Sequence, residues 1–122
     1  MKRQLLVSTI FILLISSCGR STPTLTIDLN QWTEDRNGCL GLRSKMMDVM
    51  EREKEKLLGL TEQQIITLLS RPDQNELYKR NQKFYYYYLE PSQQCVPPTT
   101  GHAMQLVIRF NAMGVAKEIS IE

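Results

Sequence analysis

Gly59-Leu60-Thr61-Glu62-Gln63-Gln64-Ile65-Ile66-Thr67-Leu68-Leu69-Ser70-Arg71-Pro72 is the stretch where the chain changes character. Glycine accepts the left-handed backbone that closes a helix, so Gly59 ends what precedes it. Thr61 and Gln64 stand at the spacing of a capping box, in which each side chain satisfies the other residue's backbone N–H, and a new helix opens at once. Ile65, Ile66, Leu68 and Leu69 supply its buried side. Arg71-Pro72-Asp73 then stops it, because proline lacks the N–H that a further turn needs.

Upstream, Leu42, Met46, Val49, Met50, Leu57 and Leu58 recur at helical intervals, which predicts one long amphipathic helix from about Gly38 to Leu58. Asp48 with Arg52, Glu51 with Lys54 and Glu53 with Lys56 are spaced to pair along it. The run Glu51 to Lys56 reads as a solvated face. Downstream the period changes to that of strands: Leu77 to Lys79, a turn near Asn81, then Lys83 to Leu89. A Pro-rich loop from Pro91 to His102 follows. Met104 to Phe110 and Val115 to Ile121 complete the chain as a hairpin turned at Asn111-Ala112-Met113-Gly114. The expected fold class is α+β, with two helices packed on one face of a three- or four-stranded antiparallel sheet.

Within the aromatic strand, alternation sends Phe84, Tyr86 and Tyr88 to one face and Tyr85, Tyr87 and Leu89 to the other. With helices on one side only, one tyrosine pair is left facing solvent, where Tyr suits a protein interface. The other reading is a run of β-formers that packs with its sheet neighbours. Tyr85, Tyr86, Tyr87 and Tyr88 are therefore the candidate partner-binding residues.

Together, Gly59 to Pro72 and the strand Phe84 to Tyr88 resemble the SmpA/OmlA, or BamE-like, family of outer-membrane assembly lipoproteins. Gly59, Thr61, Gln64, Ile65, Leu69 and Pro72 fit the family's pattern of glycine, Ser/Thr cap, branched apolar residue, Leu-Gly pair and proline. Ser70 stands where the family usually has Gly, and the two later cysteines are an addition. The resemblance covers about residues 57–122. It implies a β-lactamase-inhibitor-protein-like arrangement of helices on a sheet, and a role in outer-membrane or envelope assembly.

At the other end, Ile15-Ser16-Ser17-Cys18 has the form of a lipobox. It follows a basic start, Met1-Lys2-Arg3-Gln4, and an apolar run, Leu5 to Ile15, too short to span a bilayer comfortably. Residues 1–17 are thus expected to be a lipoprotein signal peptide and Cys18 the acylated new N-terminus. An ordinary signal peptide with a chance cysteine, or an uncleaved anchor, is the competing reading. Two or more acyl chains anchor stably where one does not. Gly19 replaces the aspartate that retains lipoproteins at the inner membrane of enteric bacteria, which by resemblance to that rule favours the outer membrane. Residues 18–31 read as a lipidated tether, with a weak alternation over Thr24 to Leu29 that suits an edge strand. Residues 32–122 form a single domain starting at Trp32.

The whole chain carries 15 Lys and Arg against 13 Asp and Glu. Cleavage removes Lys2 and Arg3 and balances the charge, so the counterion-displacing surface needed for nucleic acid is missing. What remains is roughly 105 residues, one small domain that gains from a covalent staple. Cys39 and Cys95 are the staple expected in an oxidising compartment. Their bond closes a loop of more than half the mature chain, worth about 4 kcal/mol at most. Redox or metal roles are less suited: there is no Cys-x-x-Cys, and zinc needs more than two cysteines and the lone His102.

Catalytic machinery is not legible. A Cys39/His102 nucleophile pair requires the staple to be absent, and no phosphate loop, metal-ligand cluster or nucleophile elbow occurs. Glu51, Glu53 and Glu55 act as paired carboxylates only if buried. The expectation is a non-enzymatic, membrane-anchored envelope lipoprotein that binds another protein and carries no cofactor or metal. The alternative is a small-molecule or lipid-binding lipoprotein, which needs a lined apolar pocket between helices and sheet.

Overall fold

Asp28 begins the ordered helical layer: its carboxylate accepts from the N–H groups of Asn30 and Gln31 at 3.0 and 3.1 Å and caps α1, Leu29–Glu34. The structure, a computed structural model, describes residues 20–122. Two further helices follow, α2 (Met47–Glu53) and α3 (Glu62–Leu69), and then four strands, β1 (Gln74–Leu77), β2 (Lys83–Tyr88), β3 (Gln105–Phe110) and β4 (Ala116–Ile121). The strands form one antiparallel sheet in the order β1-β2-β3-β4. The coarse α+β expectation, with an antiparallel sheet of four strands, is met.

The capping box at the start of α3 is present in both directions. Thr61 Oγ1 accepts from the Gln64 N–H at 3.2 Å, and Gln64 Oε1 accepts from the Thr61 N–H at 2.9 Å. Its buried side is Ile65, Leu68 and Leu69. Gly59 does turn the chain with a positive φ, but its N–H donates to the Ala116 carbonyl and Ala116 N–H donates to Leu60. The link between the helical and sheet halves is thereby tied to the edge of β4.

The single long helix over 38–58 is corrected. A 3-10 turn over Arg36–Gly38 ends at Gly38, residues 39–43 are turns and a bend, 3-10 turns cover Ser44–Met46 and Lys54–Leu57, and α2 between them covers only Met47–Glu53. Gly38 and Gly41 both have positive φ, which no continuous helix allows. Asp35 holds this turn from inside: Oδ1 accepts from the Leu40 N–H at 2.6 Å and Oδ2 from the Arg43 N–H at 2.8 Å. The apolar spacing survives because 3-10 and α turns follow on, and Met46, Met50 and Leu57 are buried as expected. Glu51–Lys54 and Glu53–Lys56 pair at 2.6 and 3.3 Å; Asp48 and Arg52 form no ion pair among the described residues.

Three other expectations move. The segment assigned to a tether through residue 31 is already ordered from residue 20, with Leu25 and Ile27 in the core and Thr26 bonding Glu53 through both its N–H and its hydroxyl. Thr24 to Leu29 is not a strand: it bends at residues 26–27 and becomes the cap of α1. The first strand runs over Gln74–Leu77, earlier than expected, and Lys79–Asn81 is a 3-10 turn in which Arg80 and Asn81 have positive φ. The final hairpin stands. Asn111 Oδ1 accepts from the N–H groups of Met113 and Val115, both at 3.0 Å, and Gly114 supplies the positive φ.

Candidate functional site

β2 is where the sheet acquires two chemically different faces. It pairs with both β1 and β3, Tyr85 opposite Ile108 and Tyr87 opposite Leu106. These four, with Phe110 and Leu89, are buried in the core with Trp32, Leu57, Leu60, Ile65 and Leu69. The Trp32 and Tyr87 rings lie 5.8 Å apart, and Tyr85 meets Phe110 edge-on at 4.7 Å. Tyr87 is fully buried, so its hydroxyl requires a partner, which it finds in the Ser70 carbonyl at 2.8 Å. Tyr85 Oη donates to Glu62 Oε1 at 2.8 Å. Burial, then the Glu62 carboxylate, pushes the Tyr85 hydroxyl up to about 12; burial, then the charges of Tyr85 and Asp73, raises Tyr87 further.

Among the described residues no helix lies over the opposite face. The register places three rows across it: Glu76–Phe84–Arg109–Glu118, Gln74–Tyr86–Val107–Ser120, and Tyr88–Gln105. Glu122 extends the last row, because it exchanges both backbone hydrogen bonds with Gln105. Phe84, Tyr86 and Tyr88 are each partly exposed. Tyr78 stands edge-on to Phe84 at 5.9 Å, and Phe84 stacks on Tyr86 at 6.3 Å with planes 14° apart. Tyr86 Oη donates to Glu76 Oε2 at 3.0 Å, and Arg109 pairs with Glu118 at 3.5 Å. Desolvation, then Glu76, pushes the Tyr86 hydroxyl up to about 12, with the charge of Glu122 adding to the effect. The candidate site is this face: an aromatic strip already held in place by its neighbours.

Cys39 and Cys95 are joined, with Cα atoms 5.4 Å apart. The bond ties the turn after α1 to the loop between β2 and β3. Beside it the chain approaches so closely that a Cβ at Gly38 would collide with the Glu90 carbonyl. Ser92 Oγ donates to the Asn37 carbonyl at 2.9 Å and reinforces the same junction. Cys18 lies outside the described residues.

A buried ionic knot, which no motif announced, locks the layers together. The side chains of Arg43 and Asp73 are both inaccessible to solvent and meet at 2.5 Å. Arg43 Nε donates to the Trp32 carbonyl at 2.9 Å, and its guanidinium carbon sits 4.6 Å from the centre of the Trp32 ring. Asp73 accepts from the N–H groups of Asn37 at 3.0 Å and Tyr88 at 2.8 Å. One carboxylate thus bridges the first turn and β2. A signal did exist: Arg43 shares the seam of Met46, Met50 and Leu57, where an arginine has to be buried with a partner.

Of the groups considered for chemistry, His102 is exposed in the loop before β3. It borders two open hollows outside the core, a mostly polar one of about 210 Å³ between Tyr88, Gln105 and the loop residues Ser92 and Gln94, and one of about 440 Å³ whose wall mixes Glu90 and Thr99 with Pro91 and Ala103. Glu51 and Glu55 are exposed, and Glu53 is engaged by Thr26 and Lys56; the Thr26 hydrogen bonds hold its carboxyl below the usual range. Among the described residues no group of three His, Cys, Asp or Glu side chains is placed to hold a metal, and no helix is long and apolar enough to cross a membrane.

The fold and site together define a disulfide-stapled α+β domain with one bare, aromatic sheet face. No family model, no curated protein and no solved structure matches the chain.

Proposed function

We propose that this chain is an outer-membrane lipoprotein anchored through acylated Cys18, and that it works without catalysis by docking another envelope protein on the open face of its sheet. The observation that carries the reading is the strip Phe84, Tyr86 and Tyr88, with Tyr78 at its end, left partly exposed on a face that no helix among the described residues covers and that only the loop beside Tyr88 borders. Large rings with polar tips, held by neighbours before a partner arrives, give contact area at small cost in side-chain entropy. Helical segments on one side of an antiparallel sheet whose other side is bare agree with a β-lactamase-inhibitor-protein-like arrangement. They also agree with the SmpA/OmlA resemblance, and so with a role in envelope assembly. A ligand-binding role would call for a lined apolar cavity between helices and sheet, whereas the hollows around His102 are open and lie at the loop between β2 and β3.

Two experiments test this. Labelled palmitate should enter the wild-type protein and be lost with Cys18→Ser; incorporation that persists in the variant rejects the anchor. Crosslinking and pull-down from intact envelopes should recover a defined protein partner that Tyr86→Ser with Tyr88→Ser releases. Recovery that is indifferent to those changes rejects the docking face.

A further inference from the structure

The docking face is not electrically neutral. Its aromatic centre is bordered by Glu76 on β1 at one edge and by Glu118 and Glu122 at the β4 edge, and the single cation among its rows, Arg109, is already paired with Glu118. Lys83 points to the other face and pairs with Glu62, while Lys79 and Arg80 lie in the turn beyond Tyr78. Carboxylates on both sides of stacked rings form a surface that attracts cations and disfavours anions.

Resting on the docking reading above, we propose that the partner presents a basic segment to this face, with one arginine or lysine lying over Tyr86 and reaching Glu76 and another lying over Tyr88 and reaching Glu122. Arginine suits the place best, since its flat guanidinium stacks on a ring while its N–H groups bind a carboxylate. The carboxylates supply attraction at long range and the rings supply the contact. Loss of either weakens binding.

The test uses the full acylated protein in phosphatidylcholine vesicles, titrated with a fluorescent oligoarginine peptide and with an oligoglutamate of equal length. Oligoarginine should bind and oligoglutamate should not. Glu76→Gln with Glu122→Gln, and separately Tyr86→Leu, should each weaken oligoarginine by about tenfold. Glu51→Gln with Glu55→Gln removes the same charge from the helical side and should leave binding unchanged. The Tyr86→Leu arm matters because it alters no charge, and each variant's unfolding midpoint confirms that it is folded. Equal loss in the control pair, or no loss with Tyr86→Leu, overturns the proposal. So does an envelope partner that meets the face with an acidic segment or is a second copy of this chain. If the peptide arms fail while a Tyr86/Tyr88-dependent partner is still recovered, only the basic-partner inference falls. If both fail, the docking reading falls with it.

Discussion

Tyr85 and Tyr87 share a strand with Tyr86 and Tyr88 and differ from them only in which side of the sheet they meet. On the covered side the rings fill the core and their hydroxyls are bound by Glu62 and the Ser70 carbonyl. On the bare side the rings stack in a strip, and the Tyr86 hydroxyl reaches an exposed carboxylate, that of Glu76. One residue type thus serves stability on one face and is available for recognition on the other. Side-chain chemistry does not separate the two roles; the helical layer does.

The largest expected effect follows from removing a ring on each side. Tyr87→Ala empties a fully buried site and should lower stability by about 3–5 kcal/mol, while Tyr86→Ala, which loses its stack on Phe84 and its contacts to neighbouring strands on a half-exposed face, should cost about 1 kcal/mol. Urea denaturation measures both, and similar losses would erase the distinction between the faces. Next in size is the staple. Cys39→Ser with Cys95→Ser should cost up to about 4 kcal/mol and loosen the covered face first, making Tyr87 reactive while Tyr86 and Tyr88 keep their reactivity.

Alkaline titration sharpens the comparison further. A tyrosine whose folded pKa is raised stabilises fully below its ordinary value, and the contribution is lost as pH climbs past that value toward the folded one. For Tyr85 and Tyr86 the window runs from 10.0 to about 12. Tyr87, raised further by burial, should ionise only as the protein unfolds. Tyrosinate absorbance alongside circular dichroism should show this, and Tyr87→Phe should move the alkaline midpoint to higher pH more than Tyr86→Phe does. A Tyr87 that titrates in the folded protein would contradict its burial.

The smallest effect concerns the residue whose carbonyl receives Tyr87. Ser70 has φ 65° and ψ −176°, a region that strongly favours glycine, and its buried hydroxyl has no hydrogen-bond partner. Ser70→Gly should therefore stabilise by about 1 kcal/mol, read as a rise in Tm; a fall would show that the hydroxyl has a role of its own.

Several of these features are legible from residues alone because they are local. The capping box, the Asn111–Gly114 turn and the alternation of β2 each depend on neighbours within a few positions. The pairing of Cys39 with Cys95 is also readable, because few thiols were available to choose from. Alternation divides the tyrosines correctly but is symmetric, so it cannot say which half the helices cover. A 3.6-residue period also cannot reveal that Gly38 and Gly41 break the helix, since α and 3-10 turns in series keep the same stripe. Leu25 and Ile27 give the weak alternation that suits an edge strand, and nothing local shows that the segment instead bends into the core beside the distant Glu53, which Thr26 bonds. The Arg43–Asp73 knot spans two parts of the chain that only the finished fold brings together.

The central claim, that the bare tyrosine face is covered by a partner in the cell envelope, is tested most directly by hydroxyl-radical footprinting read residue by residue. In the purified protein Tyr86 and Tyr88 should be labelled and Tyr87 spared; in intact envelopes the expected result is protection of Tyr86 and Tyr88 as well. Equal labelling of Tyr86 and Tyr88 in envelopes and in purified protein would contradict the account.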